Sequence, residues 1–373
     1  MKAVVLCAGR SKRMKPIEDK NFLVFSGKQL IVHQVEQLIE AGLREFVIIG
    51  GEHNLDKLKD ILITYFAHQE AQFEFVMQKN LDHGMAGAIN SKFEGAVNEE
   101  IIIINSNDVV ESSAYSLIIQ KAKNTKELDG LILGFKVESY FPGGYLTTTA
   151  NQIKAIVEKP GEGKEPSNMV NIVVHYHKSS QNLIQFLKDA NSDKDDVYEV
   201  ALDNMFKKGL NFEVVEYNGY WQAIKYPWHI LEVKDFLFKK ELKARNGAYI
   251  SKEVNISKSA IIKGEVIIED GVKIFDNAVI SGPAYIGKNS VIANNALVRE
   301  SELGAGCIAG FGTEIARSWL GENVWTHSNY VGDSVIGNNV SFGAGCVTGN
   351  LRLDEKNIIV NINDEKVDTK RGK

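Results

Sequence analysis

The chain has 373 residues, a net charge of −5 and the apolar content of a globular protein. That balance excludes a nucleic-acid binder that relies on a global positive field, and no apolar run approaches the length needed to span a bilayer. Three cysteines (Cys7, Cys307 and Cys346) are odd in number and lack metal-ligand spacing, so a reduced, cytoplasmic setting is expected.

Met1-Lys2 leads directly into the apolar run Ala3-Val4-Val5-Leu6, which reads as a buried strand and not as a secretory leader. Residues 29–41 place Leu30, Val32, Val35, Leu38 and Ile39 on one helical face, with Gly42 just beyond. Phe46–Ile49 is a second strand, and Asn54 can cap a helix running to about residue 68. Phe73–Val76 is a third strand, followed by a helix near 84–97. Ile101–Ile104 is a fourth strand, ending in Asn105-Ser106-Asn107-Asp108. Leu131–Val137 and Ala155–Val157 add strands. This alternation predicts a Rossmann-like parallel α/β domain over residues 1–230, left by a helix at Trp228–Arg245. The predicted division is 1–230, a linker helix over 231–247, and 248–373.

From Gly247 the pattern changes. Ile250, Ile256, Ile262, Ile268, Ile274, Ile280, Ile286, Ile292 and Val298 recur at every sixth position, with a small or β-branched residue two places before each. Neither a helix nor a lone strand has a period of six, whereas each side of a triangular β-helix does. The repeat slips after Val298 and resumes near Ile336 and Phe342. The charged tail Asp364–Lys373 reads as an exposed terminus.

The loop Cys7-Ala8-Gly9-Arg10-Ser11-Lys12-Arg13-Met14 follows the first strand, with Lys20 six residues on. Ligands of open parallel sheets bind at the carboxyl ends of strands, and a loop with glycine and several cations suits a polyphosphate there. This segment resembles the sugar-1-phosphate nucleotidylyltransferases, whose loop reads L-A-A-G-x-G-T-R-M before a lysine and G-K-P. The short gap to Lys20 resembles the bifunctional uridylyltransferase/acetyltransferases, in which a left-handed parallel β-helix of hexapeptide repeats follows the nucleotidyl domain. The resemblance implies that Leu6, Ala8, Gly9, Gln78 and Gly84 bind the nucleotide. It implies that Arg13 and Lys20 stabilise phosphate charge and that Asp108 is the Mg²⁺ ligand. It further implies that Gly144, Glu158, Lys159 (in Glu158-Lys159-Pro160) and Asn171 meet the sugar phosphate. Trp221 to Trp228 resembles the family's closing W-x-D segment. The departures are Ser11, Lys12, Met85, Val173 and Ala223; the last removes a second metal carboxylate.

His327-Ser328-Asn329-Tyr330-Val331-Gly332-Asp333, then Gly343-Ala344-Gly345, Asn350 and Lys356, resemble the acetyltransferase half of the bifunctional enzymes. Imidazole is suited to accept a proton from an attacking amine near neutral pH. The resemblance implies that His327 is the general base, that Tyr330, Asn350 and Lys356 contact an amino-sugar phosphate, and that acetyl-CoA is co-substrate. The family's lysine one coil earlier is here Ala316, beside Arg317. A homotrimer follows from the same resemblance. One histidine in the repeats cannot form a three-histidine zinc site, and His175-x-His177 reads as a core or surface pair before it reads as a metal site. The alternative to an enzyme with both activities is a paralogue with one or none, acting as a nucleotide-sugar-binding regulatory or scaffold subunit.

Overall fold

The computed structural model describes residues 1–372. The chain forms two compact units: Met1–Arg10 with Ile31–Trp221, and Ser11–Leu30 with the chain from Gln222 onward.

The first unit is built on a nine-stranded sheet. In spatial order its strands are Gln72–Met77, Glu45–Gly50, Lys2–Leu6, Ile101–Asn105, Met169–His177, Gly130–Lys136, Phe212–Glu216, Gln152–Glu158 and Gly144–Thr149. The first four are mutually parallel, with Val4 opposite both Val47 and Ile103. Three of them, Glu45–Gly50, Lys2–Leu6 and Ile101–Asn105, carry apolar runs that suit a layer buried on both faces, whereas the edge strand Gln72–Met77 is interrupted by Glu74 and partly exposed. The far half is mixed: Met169–His177 runs antiparallel to both neighbours. A purely parallel sheet is thus corrected to a mixed one. From Lys2–Leu6 the chain first builds outward to one side, then returns to place Ile101–Asn105 on the other. The switch point therefore lies beyond Leu6 and Asn105, where open α/β sheets bind ligands.

Three details differ from expectation. Asn54 stands before the helix Leu55–Tyr65 without capping it by its side chain. Its Oδ1 instead accepts from the Gly51 N–H (2.9 Å), and its Nδ2 donates to the Cys7 carbonyl (2.9 Å). Asp108 does not close the fourth strand but opens a short one, Asp108–Val110. The tail is a hairpin of Ile359–Ile362 and Glu365–Asp368, beyond which Arg371 pairs with Glu232 at 3.0 Å; Lys373 lies outside the described residues.

His175 and His177 are core residues. Both rings are fully buried, with His175 Nδ1 2.9 Å and His177 Nε2 3.1 Å from the Tyr198 hydroxyl. Burial lowers both to about 3, helped at His175 by the neighbouring His177. The fold thus holds them neutral, while the unfolded chain takes up protons below about 6.5. Their stabilisation is present above that pH and is lost as pH falls from 6.5 toward 3. Between pH 6.5 and 5 the expected loss is about 2 kcal/mol per imidazole. Urea unfolding at both pH values checks this, and His177→Gln should reduce the difference by about half.

The second unit contains the repeats as a parallel β-helix. Successive coils pair in parallel with Tyr249 opposite Ile267, Lys273 opposite Val291 and Ile261 opposite Val279. The aliphatic residue and the one two places before it both face inward: Val266 and Ile268, Ala278 and Ile280, Ala284 and Ile286 are buried. The repeat does not stop at Val298. The coil pairing Tyr285 with Glu302 is one residue shorter, and the one pairing Glu314 with Tyr330 is shorter again. The first loss falls at the corner of Glu300, which with Arg317 and Asp333 on the following coils adopts positive φ (51°, 49° and 49°); the second falls at the corner of His327, between the pairings of Ile308 with Trp325 and of Glu314 with Tyr330. The serines that follow Glu300, Arg317 and Asp333 stack in a ladder. Ser318 N–H donates to Ser301 Oγ (3.0 Å), and Ser334 N–H donates to Ser318 Oγ (3.1 Å). Inward positions hereabouts are Ser301, Thr313, Ser318, Thr326 and Asn329, all buried, so the aliphatic signal fades while the coil continues.

Candidate functional site

In the first unit, the loop after Leu6 and the loop carrying Gln78 and Gly84 lie side by side. Arg10 pairs with Asp82 at 2.9 Å. Gln78 is buried, and its Nε2 donates to the Asn80 carbonyl (3.0 Å) and the Gly84 carbonyl (2.8 Å). Its NH₂ is thereby committed to the loop, which fixes the direction of its Oε1. Gly84 has φ +49°, and a Cβ there would sit 2.2 Å from Asp195 Oδ1. A Cβ on Gly9 would meet no protein atom within 4 Å, so that glycine leaves open space beyond the strand.

Asp108 is held from several sides. Buried Gln34 donates from Nε2 to the carbonyls of Ser106 (3.1 Å) and Asp108 (2.9 Å), and Tyr115 donates to Gln34 Oε1 (3.2 Å). Trp221 Nε1 donates to Asp108 Oδ1 at 3.0 Å. Asp108 as a residue is 7% exposed. Burial and its charge raise the Tyr115 hydroxyl far above the usual phenol range.

The residues expected to meet the sugar phosphate also converge. Gly144 lies opposite Glu158 in the sheet, and a Cβ on it would come within 3.1 Å of both Asn171 Oδ1 and Glu158 Oε2. Lys159, at φ +46°, donates its N–H to the Gly143 carbonyl, and its Nζ pairs with Glu158 at 2.9 Å. The motif did not single out Glu199. Burial raises its carboxyl to about 8, with Glu158 and Asp195 adding to the rise and Lys159 opposing it. Met85 and Val173 are half-buried and pack against the apolar core of this unit, so these two departures are absorbed in packing.

The second unit holds Arg13 and Lys20. The Arg13 guanidinium lies 5.3 Å from the Tyr226 ring centre, within cation–π range, and Tyr226 stacks on Trp228 at 4.6 Å. Lys20 Nζ is 3.4 Å from the Ile224 carbonyl. Ser11 has φ 49°, so it occupies the left-handed conformation that a glycine would take without strain. Its Oγ accepts from the Lys20 N–H at 3.3 Å, which ties the loop to its lysine. Ala223 is buried and offers no ligand oxygen from its side chain.

On the β-helix, His327 is exposed at a corner. Its N–H donates to Asn329 Oδ1 (2.7 Å), and its carbonyl accepts from Thr313 Oγ1. Asn350 Nδ2 donates to the Tyr330 hydroxyl (3.1 Å) and to Asp333. Asp333 also takes both forks of Arg317, each at 2.7 Å, and this pairing raises the Arg317 pKa. Tyr330 and Asn350 are thus brought together. Lys356 is exposed, and its backbone N–H donates to Asp354 Oδ1 at 3.3 Å. Ala316 is fully buried between Arg299 and Gly332 in the ladder. Arg299, which pairs with Glu314 at 2.7 Å, and the Arg317–Asp333 pair are cations that the motif reading did not assign.

A family model described as nucleotidyl transferase matches residues 2–238. The chain belongs to the nucleotidyl transferase family. A second model, bacterial transferase hexapeptide (six repeats), matches 265–300. This nucleotidyl transferase is 31% identical over 383 residues to the bifunctional sugar-1-phosphate nucleotidylyltransferase/acetyltransferase of Sulfurisphaera tokodaii, covering all of this chain and 88% of that one. It is 32% identical over 379 residues to the bifunctional protein GlmU of Methanococcus maripaludis strain C7, covering all of this chain and 86% of that one. Among solved structures it resembles an apo-UDP-glucose pyrophosphorylase, with a TM-score of 0.55 and 20% identity over 65% of this chain and 99% of that one. At that identity the likeness shows the fold.

Proposed function

We propose that this chain transfers a nucleotidyl group from a nucleoside triphosphate to a sugar-1-phosphate, and acetylates an amino-sugar-1-phosphate from acetyl-CoA. UDP-N-acetylglucosamine or a related UDP- or dTDP-sugar is the expected product. The reading places nucleotidyl transfer in residues 1–230 and acetyl transfer in residues 248–373, joined by the helix within 231–247. The observation that carries it is the fixed carboxylate of Asp108 at the switch point of the sheet. In support, relatives named for both activities align over the whole chain.

In the first reaction, a phosphate oxygen of the sugar attacks the α-phosphorus; the bond to the β-phosphate breaks and pyrophosphate leaves. Such chemistry needs positioning and charge neutralisation more than covalent help. Arg13 and Lys20 oppose the charge that builds on the phosphates. Leu6, Ala8 and Gly9 line the nucleotide with backbone, and Gln78 and Gly84 meet its base. Gly144 gives the sugar room, Glu158 and Asn171 bond its hydroxyls, and Lys159 meets its phosphate. Asp108 is a hard oxygen donor, and Mg²⁺ commonly binds through one carboxylate with substrate phosphates and water completing its shell. Asp108 would hold that ion, which would offset the charge that builds on the phosphates.

In the second reaction, His327 takes the proton from the amine as nitrogen attacks the thioester carbonyl. The C–S bond breaks and CoA leaves. Tyr330 and Asn350 contact the amino-sugar phosphate, and Lys356 adds a mobile cation. We place the enzyme in the cytoplasm as a homotrimer assembled through the repeats; among the described residues no helix is long and apolar enough to cross a membrane.

A matrix of nucleotides against sugar-1-phosphates, read as pyrophosphate release with Mg²⁺, should give one preferred pair. CoA release with glucosamine-1-phosphate should report the second activity, and sedimentation should give three times the chain mass. Nucleotide-sugar binding without turnover in either assay would replace this reading by that of a regulatory or scaffold subunit.

A further inference from the structure

The segment that carries Arg13 and Lys20 is built into the same compact unit as the β-helix. Beyond Lys20 the chain makes one short helical turn, Lys20–Phe22, and then a hairpin of Val24–Phe25 and Lys28–Gln29. The hairpin tip is Ser26-Gly27, with φ 47° and 85°. Two positive φ values in succession are the tight turn that a right-twisted hairpin prefers.

This tip is received by the repeats. Ser26 Oγ donates to Glu302 Oε1 at 2.8 Å, and the Ser26 N–H faces Glu302 Oε2 at 3.3 Å. Glu302 is 4% exposed. Burial pushes its carboxyl up to about 7, while the Ser26 hydroxyl and the Lys234 charge act in the opposite sense. Trp319, opposite Glu302 on the next coil, donates from Nε1 to the Val24 carbonyl at 3.0 Å, and its ring meets Phe25 at 6.1 Å. Phe25 is fully buried. A Cβ on Gly27 would sit 2.6 Å from the Tyr285 hydroxyl, and Lys28 pairs with Glu241 at 2.6 Å. A buried carboxylate facing two donors of one turn, with an indole N–H on the adjoining carbonyl, fixes that turn more narrowly than apolar packing alone. The Leu30 N–H closes the segment onto the Leu23 carbonyl at 2.8 Å, so little slack separates the anchored tip from Lys20.

We propose that Glu302 and Trp319 are positioning residues for nucleotidyl transfer: the β-helix holds in place the segment that presents Arg13 and Lys20 to the triphosphate. The inference rests on the nucleotidyl-transfer reading above. It makes the first reaction depend on residues of the repeats that touch no substrate. Misplacement of a cation by about 1 Å costs on the order of 10²-fold in rate, so loosening this anchor should be visible in turnover.

The test uses the full-length protein with Glu302→Ala, Glu302→Gln and Trp319→Phe. Trypsin cleavage after Lys12, Arg13 and Lys20 reports the segment directly and needs no activity. Glu302→Ala should be cut at least about ten times faster than the wild type. Glu302→Gln, which keeps an acceptor for Ser26, should lie between them. In the pyrophosphate assay Glu302→Ala and Trp319→Phe should lower kcat/KM for the nucleotide at least about tenfold, with part of the loss in kcat and with CoA release within twofold of wild type. Glu302→Gln should restore most of the loss. Unchanged cleavage in Glu302→Ala, or an equal fall in both activities, would overturn the proposal. A wild type that forms no pyrophosphate would instead remove the functional reading, and the cleavage rates would still show whether the anchor exists.

Discussion

Replacing Asp108 by alanine should lower pyrophosphate formation by about 10³-fold or more and leave acetyl transfer unchanged. The size of the effect follows from the absence of a substitute. The family's second carboxylate position is Ala223, which has no oxygen to coordinate an ion. On the proposed reading, loss of Asp108 would leave the triphosphate to Arg13 and Lys20. Asp108→Asn separates charge from shape, since its carbonyl oxygen can still accept from Trp221 Nε1 and its backbone can remain bound to Gln34. It should therefore unfold near the wild-type temperature and yet lose most of the activity, with the loss concentrated in kcat and in the concentration of Mg²⁺ required. Residual turnover within tenfold of wild type, at unchanged Mg²⁺ requirement, would show that Asp108 is not the ligand.

What the sequence made legible was set by which residues carry repeating apolar signals. The strands Lys2–Leu6, Glu45–Gly50 and Ile101–Asn105 are buried on both faces and read as aliphatic runs. Met169–His177 is as deeply buried, but Asn171, His175 and His177 interrupt its apolar pattern, and its antiparallel direction is written nowhere locally. In the β-helix the period of six was plain while inward positions were Ile, Val and Ala. It faded once serine, threonine and asparagine turned inward and the Ser301–Ser318–Ser334 ladder shortened a corner. The family resemblance located Gly144, Glu158 and Asn171, which meet in space. It passed over Glu199, because a carboxylate made unusual by burial shows nothing of this in a sequence. Ser26 and Glu302 are 276 positions apart, and no local pattern links them.

Replacing His327 by alanine should lower acetyl transfer by about 10²- to 10⁴-fold, the range general-base catalysis supplies, with nucleotidyl transfer untouched. The corner does not depend on the imidazole. Asn329 Oδ1 takes the backbone N–H of residue 327, Thr313 Oγ1 caps its carbonyl, and the side chain is exposed. Stability should therefore change by no more than about 0.5 kcal/mol, the usual range for a surface position. The loss should fall on kcat, with KM for acetyl-CoA nearly constant, because a proton acceptor acts in the transition state and contributes little to ground-state binding. Asn350→Ala should behave differently. It removes the amide that joins Tyr330 to Asp333, so KM for the amino sugar should rise while the pH dependence of turnover keeps its form. Near-wild-type acetylation by the His327→Ala protein would deprive the exposed corner of its role. The proton would then have to leave with solvent or with another group on the same face.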